Sequence, residues 1–302
     1  MPEEFRVPLL PALTEHLVSA APELPEPQLD EGLLSADSIT RYRQVLDASP
    51  AAADLLVQLR VLLDNPEGDG CAVVETAPLL DALPIDDAGR VIAAILSWVG
   101  LPLRAFDRWP LWKPLGTNLR IDPMRATGAG HNPMHMDIVN ATMPPDYSVL
   151  LCVRPDPRGE GHSLVSQVRR AVERLDAKER ALLADEVFRD GVFYELTGVG
   201  EEWNPFPIID GKPVDEGFVR FTAKMLPERD QEDPHTIAAR ALDRELIAGQ
   251  KRFRLERGDM VIVNQHLCMH GREPLGAGQE TVPEGKRRLL WQMFLRSAGT
   301  AQ

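Results

Sequence analysis

Hydrophobic positions follow two rhythms along this chain. Residues 52–64 (AADLLVQLRVLLD) place apolar side chains at helical spacing, and Asn65-Pro66 ends the run. Residues 71–75 (CAVVE) follow Gly70 as a continuous apolar stretch and predict a buried strand, while 88–99 predict a mostly buried helix. The Pro-, Glu- and Leu-rich stretch 21–34 reads as an extended surface segment. From about residue 110 the runs become short and β-rich: Tyr147–Val153, Gly191–Leu196, Phe218–Phe221, Lys251–Leu255, Met260–Val263 and Leu289–Leu295. Short strands at irregular intervals predict a sandwich or barrel. Two helices interrupt them. Val168, Val172 and Leu175 share one face of the first, and Asp176 with Glu179 three residues on forms a capping box at the start of the second. These patterns give one mixed α and β domain over residues 1–302, with a helix-rich part to residue 110 and a β core from 111.

Composition narrows the function classes. A chain of 302 residues that is 44% hydrophobic can bury a sizeable core. Its formal charge of −13 repels phosphate backbones and anionic lipid, so neither nucleic acid nor a membrane surface is an expected partner. The longest mostly apolar stretch, Val91 to Leu103, is broken by Ser97, Gly100 and Pro102 and is too short to cross a bilayer. Cys71, Cys152 and Cys268 are odd in number, which argues against a disulfide framework and for a reducing, cytoplasmic setting.

Histidines carry the chemistry. In the run His135-Met136-Asp137, an extended backbone sends the first and third side chains to one side, where both reach a single metal ion. A second run, Gly258 to Arg272, reads as a turn, an apolar strand and then His270-Gly271, and His270 is a third ligand candidate. Two histidines and one carboxylate on a facial triangle leave three open positions, which suits Fe(II) oxygenases. His131 and His266 are rival ligands, although Gly128, Gly130 and Pro133 argue against a helix pairing His131 with His135. Arg288, at the start of a strand, is either half of a structural ion pair or a guanidinium fork for a carboxylate such as that of 2-oxoglutarate.

Taken in order, five motifs resemble those of the clavaminate synthase-like branch of the taurine dioxygenase superfamily of Fe(II)/2-oxoglutarate oxygenases. They are His135–Asp137, Pro145–Asp156, Gly161–Ser163, Gly258–Arg272 and Arg288–Arg296. The resemblance implies a double-stranded β-helix, or jelly roll, with His135, Asp137 and His270 as iron ligands. It implies Arg288 and Ser163 as partners of the distal carboxylate of 2-oxoglutarate, and O2 as second co-substrate. Hydroxylation of a free amino acid or similar small metabolite, with release of succinate and CO2, is the implied activity. The alternatives are desaturation or cyclisation by the same chemistry, or a jelly-roll isomerase or hydrolase. One position departs from the pattern: Gln292 stands where many relatives carry a second arginine for the substrate. Gln292, Arg220 and Asn140 are candidate substrate contacts, and Lys224 and Arg120 are further candidates for the missing cation.

Overall fold

The computed structural model describes residues 3–105, 109–141, 143–190, 205–211 and 217–297. Its strands, in chain order, are β1 (Arg6–Pro8), β2 (Leu29–Asp30), β3 (Leu33–Leu34), β4 (Cys71–Glu75), β5 (Leu101–Leu103), β6 (Lys113–Gly116), β7 (Asn132–His135), β8 (Tyr147–Arg154), β9 (Ser163–Gln167), β10 (Lys251–Phe253), β11 (Asp259–Asn264), β12 (Cys268–Arg272) and β13 (Leu289–Arg296). The larger sheet runs β1-β4-β11-β8-β13-β5-β3-β2, with β6 also pairing β13, and the smaller runs β10-β9-β12-β7. Strand β1 joins β4 in parallel, and the long central strands β8, β11 and β13 pair antiparallel. The architecture is a jelly roll with helices packed outside.

Period-two alternation explains how one chain serves three hydrophobic layers. On β4, Cys71 and Val73 face the smaller sheet, while Ala72 and Val74 face the N-terminal helices. On β11, Val261 and Val263 point inward, and Met260 and Ile262 point outward. From the smaller sheet, Val165, Phe253 and Cys268 meet the inward set, and Leu164 and Met269 pack under helix Pro234–Ala248. Each fully buried side chain of this size contributes roughly 1.5–3 kcal/mol. Helix Ile85–Val99 lies on the outer face of the larger sheet and buries ten residues, which is why its sequence is apolar from Val91 onward except for Ser97. The three cysteines are free and buried, and burial holds their thiols protonated, with Cys152 pushed up to about 12.

Several elements differ from their local reading. The stretch 21–34 holds a tight hairpin, β2 to β3, whose turn residues Glu31 and Gly32 both have positive φ. It is recruited because Leu33 pairs with Leu103 of β5, and Leu34 is buried in the core. Residues 218–221 make only isolated bridges, Ile209 to Val219 and His135 to Thr222 next door. The run 191–196 lies outside the described residues. Helix Pro234–Ala248 starts with Asp233 accepting from the Thr236 amide and Pro at its first position, and the capping box of Asp176 and Glu179 is present as expected. Among the described residues, no helix is long and apolar enough to cross a membrane.

Gly258 opens the turn into β11 with φ 88°, and an added Cβ would lie 2.3 Å from the Ala77 Cα. The Gly258→Ala protein therefore loses at least about 2 kcal/mol of stability, combining the left-handed backbone penalty with a backbone clash. Urea unfolding of the two proteins measures this, and equal midpoints would refute it.

Candidate metal centre

Apolar side chains fill most of the space between the sheets, but at one end the inward positions become polar. His135 on β7, Ser148 on β8, Ser163 on β9, His270 on β12, Gln292 on β13 and Arg288 immediately before β13 all reach this end of the sandwich interior. His270 and His135 are directly opposed across the β12–β7 pair, and their ring centroids lie 4.4 Å apart. Strand β7 stops at His135, and Asp137 follows in a loop. Its backbone N–H donates to the buried Gln265 side chain at 2.6 Å, and Gln265 in turn donates to the Pro145 carbonyl. Ile138 then takes φ 56°, which turns the chain away from the strand direction. A β-branched residue in that region costs on the order of 1–3 kcal/mol, so the surrounding contacts must hold it there.

The ligand-type atoms of His135, Asp137 and His270 all lie within 4.8 Å of one another. His135 donates from Nδ1 to the Pro133 carbonyl at 2.8 Å, which leaves the Nε2 lone pair facing Asp137 at 3.7 Å. His270 Nε2 is 3.3 Å from Asp137 Oδ2. Burial, reinforced by the charges of Lys224 and His270, keeps His135 well below the usual histidine range, so its ring is neutral. Burial opposes ionisation of Asp137, but His270 and the Ser148 hydroxyl outweigh it and hold the carboxyl below its ordinary value. Two nitrogen donors and an ionised carboxylate within one ion's reach fit a divalent metal. Ser148 and Gln292 donate to the same carboxylate oxygen, Oδ2, at 2.6 and 3.1 Å, and so fix the plane of the group while leaving Oδ1 toward His135.

A narrow cleft opens on one side of this cluster, lined by Leu115, Leu150, Leu290, Asn132, Ser163 and Arg288. Arg288 is 8% exposed and its guanidinium has no hydrogen-bond partner among the described residues. Arg272 stands beside it, donating to the carbonyls of Glu273 and Gly128. Burial depresses both groups, and the like charge of Arg288 helps to push Arg272 down to about 9. Two buried cations that lack a carboxylate partner among the described residues call for an anion. The buried Asn132 Oδ1 is also unpaired. On the other side lies a wider cavity of about 360 Å³, whose wall includes Asn118, Arg125, Asn140, Asp190, Lys224 and Gln292. It falls in the size range of small-molecule sites.

The remaining candidates fall elsewhere. His131 is exposed and lines a separate cavity with Arg240 and Asp243. His266 uses both ring nitrogens, toward Asp146 at 2.6 Å and the Gly217 carbonyl at 3.0 Å, and stacks on Phe218. Arg220 donates to the Ala141 carbonyl and is absent from the described wall of the wide cavity, and Arg120 is exposed. Arg287 is half-buried, donates to the Val282 carbonyl and, unlike Arg288, is not part of the cleft lining. Ser148, Gln265, Asn132 and Arg272 were not singled out from sequence. Ser148 had a usable signal, being a polar residue in register with inward Leu150 and Cys152.

The sequence model of the family described as taurine catabolism dioxygenase TauD, TfdA family matches residues 115–294. Clavaminate synthase 2 of Streptomyces clavuligerus is 28% identical over 169 residues, which is 54% of this chain and 49% of that protein, so the chain spans about half the length of the curated relative it matches. Among solved structures, asparagine oxygenase in complex with Fe(II), 2S,3S-3-hydroxyasparagine and succinate superposes with a TM-score of 0.76 at 21% identity, covering 97% of this chain and 94% of that one. The non-heme iron oxygenase OrfP in complex with Fe, succinate and (3S)-hydroxy-L-Arg gives 0.69 at 15% identity, over 97% and 94% of the two chains. The family match runs through β6 to β13, every strand that carries the clustered side chains, and covers more than half of the sequence; the chain belongs to the TauD/TfdA dioxygenase family.

Proposed function

We propose that this protein is an Fe(II)- and 2-oxoglutarate-dependent oxygenase that hydroxylates a free amino acid or a close relative. The observation that carries this reading is the cluster of two histidines and a carboxylate standing between a cleft with a buried arginine unpaired among the described residues and an open cavity with both polar and apolar walls. Bound iron would supply the redox chemistry, in which O2, the 2-oxo acid and a substrate C–H bond become succinate, CO2 and an alcohol. His135, Asp137 and His270 hold the ion. Ser148 and Gln292 orient Asp137, so Gln292 acts through the metal's carboxylate. Arg288 and Ser163 receive the distal carboxylate of 2-oxoglutarate, while Leu115, Leu150 and Leu290 exclude water from its chain. Asn140 faces the cavity left for the substrate. Arg220 supports the loop that carries Asn140 through the Ala141 carbonyl. The hydroxylated amino acids held by asparagine oxygenase and OrfP support the substrate class. Free buried thiols suit a reducing, cytoplasmic setting.

A jelly-roll isomerase or hydrolase has no use for an unpaired Arg288, and this favours the oxygenase. Anaerobic addition of 2-oxoglutarate to the Fe(II)-loaded protein is expected to raise a weak visible charge-transfer band. Free amino acids are then screened aerobically for succinate release. Absence of both the band and 2-oxoglutarate binding would remove the oxygenase reading. A normal band with turnover confined to nucleosides or long-chain lipids would remove only the substrate class.

A further inference from the structure

Gln292, on the last strand, is already engaged with Asp137. The wide cavity nevertheless carries a lysine whose ammonium is unused. Lys224 follows the bridge between Thr222 and His135, and the neighbouring Phe221 carbonyl accepts from the Met136 N–H at 2.9 Å. The segment is thus laid along the metal-site strand. The Thr222 hydroxyl accepts from the Lys224 backbone N–H, beginning a short 3-10 turn. These contacts fix the backbone, and the side chain forms part of the cavity wall beside His135 and Asp137. The ammonium makes no hydrogen bond and no ion pair with any described residue. Asp137, Asp190 and Asp122 attract it from beyond ion-pair distance, and Arg125 repels it. Burial draws Lys224 below the usual lysine value, as expected for a cation that lacks a contacting anion.

Asn140 supplies the complementary group. Its amide nitrogen donates to the Asp190 carbonyl at 3.4 Å, while its Oδ1 is buried without a donor among the described residues. One cavity wall therefore offers an unused cationic donor and an unused neutral acceptor. We infer that Lys224 receives the substrate's carboxylate and Asn140 Oδ1 accepts from its ammonium group, so that the cavity selects an α-amino acid with both groups unblocked. This rests on the amino-acid reading above and adds the residues that enforce it. A metal ion on Asp137 would neutralise the nearest acidic neighbour and strengthen the demand of Lys224 for an anion. Lysine is a point charge on a flexible stem, so it accepts a carboxylate with less directional constraint than an arginine fork.

The test uses the full chain loaded with Ni(II) and 2-oxoglutarate, so that no turnover occurs. Ligand-observed NMR measures binding of the free L-amino acids, their α-carboxamides and their N-acetyl derivatives. The wild type is expected to bind at least one free amino acid about tenfold or more tighter than its carboxamide. Lys224→Gln should abolish that preference by weakening the free acid alone, with 2-oxoglutarate affinity unchanged, and Lys224→Arg should restore most of it. Asn140→Leu should reduce discrimination against the N-acetyl series. A wild type that binds carboxamides as tightly as free acids overturns the inference whether or not any variant folds. So does a Lys224→Gln protein that keeps the preference. If no free amino acid binds while 2-oxoglutarate still does, the amino-acid reading itself fails, and the role of Lys224 falls with it.

Discussion

Substrate-dependent succinate release is expected to vanish when His270 or His135 is replaced by alanine, and to persist largely intact in His131→Ala. The asymmetry follows from position. His135 and His270 are buried opposite one another with Asp137 between them, whereas His131 is exposed and lines a different cavity. Loss of a residue that merely supports a metal ligand costs about 10–100-fold in affinity, so loss of a ligand should exceed ~100-fold. Equilibrium dialysis against Fe(II) under argon reads this directly, independent of turnover. The Pro133 carbonyl that orients the His135 ring stays in place in the variant, which limits the damage to the missing donor. An inactive His131→Ala together with near-normal turnover in His135→Ala would reverse the ligand assignment.

Arg288→Ala is expected to weaken 2-oxoglutarate binding by on the order of 2–5 kcal/mol, because the co-substrate's carboxylate is then buried without its partner. This corresponds to roughly 30-fold to several thousand-fold in Kd. The free protein should be hardly destabilised, since no described carboxylate or carbonyl hydrogen-bonds to the Arg288 guanidinium. Arg272 remains nearby as a second cation, but its donors are partly spent on two backbone carbonyls, so it replaces little of the loss. Arg287→Ala, outside the cleft lining, should leave the affinity within about twofold of wild type, a change of less than about 0.5 kcal/mol typical of surface positions. Anaerobic titration of the Fe(II) protein with 2-oxoglutarate gives both constants. Equal values for Arg288→Ala and wild type would remove this residue from the co-substrate site.

What the sequence by itself determined is what depends on near neighbours. The strands at 71–75, 147–153, 260–263 and 289–295 were legible because a short apolar run is a local signal, and their observed bounds differ from the expected ones by one residue at either end at most. The capping box at Asp176 was legible because it lies within one helical turn; His135 and Asp137 do come together, but Asp137 does so from a loop beyond the end of β7 and not from the extended strand expected. The hairpin in 21–34 was not legible, because its strands exist only through pairing with Leu103. Neither was helix Pro234–Ala248 singled out, although Asp233-Pro234 announces its start. Only the tertiary structure decided which histidines meet, since the choice among His131, His135, His266 and His270 depends on strand register between distant segments. It also decided the partner of Gln292. The sequence shows an amide on an inward register, but the distance to Asp137 Oδ2 is set by how β13 and the loop after β7 sit across the sandwich. Lys224 is the sharpest case: its neighbours in sequence say nothing of a metal, and its place on the cavity wall comes from a single bridge between Thr222 and His135.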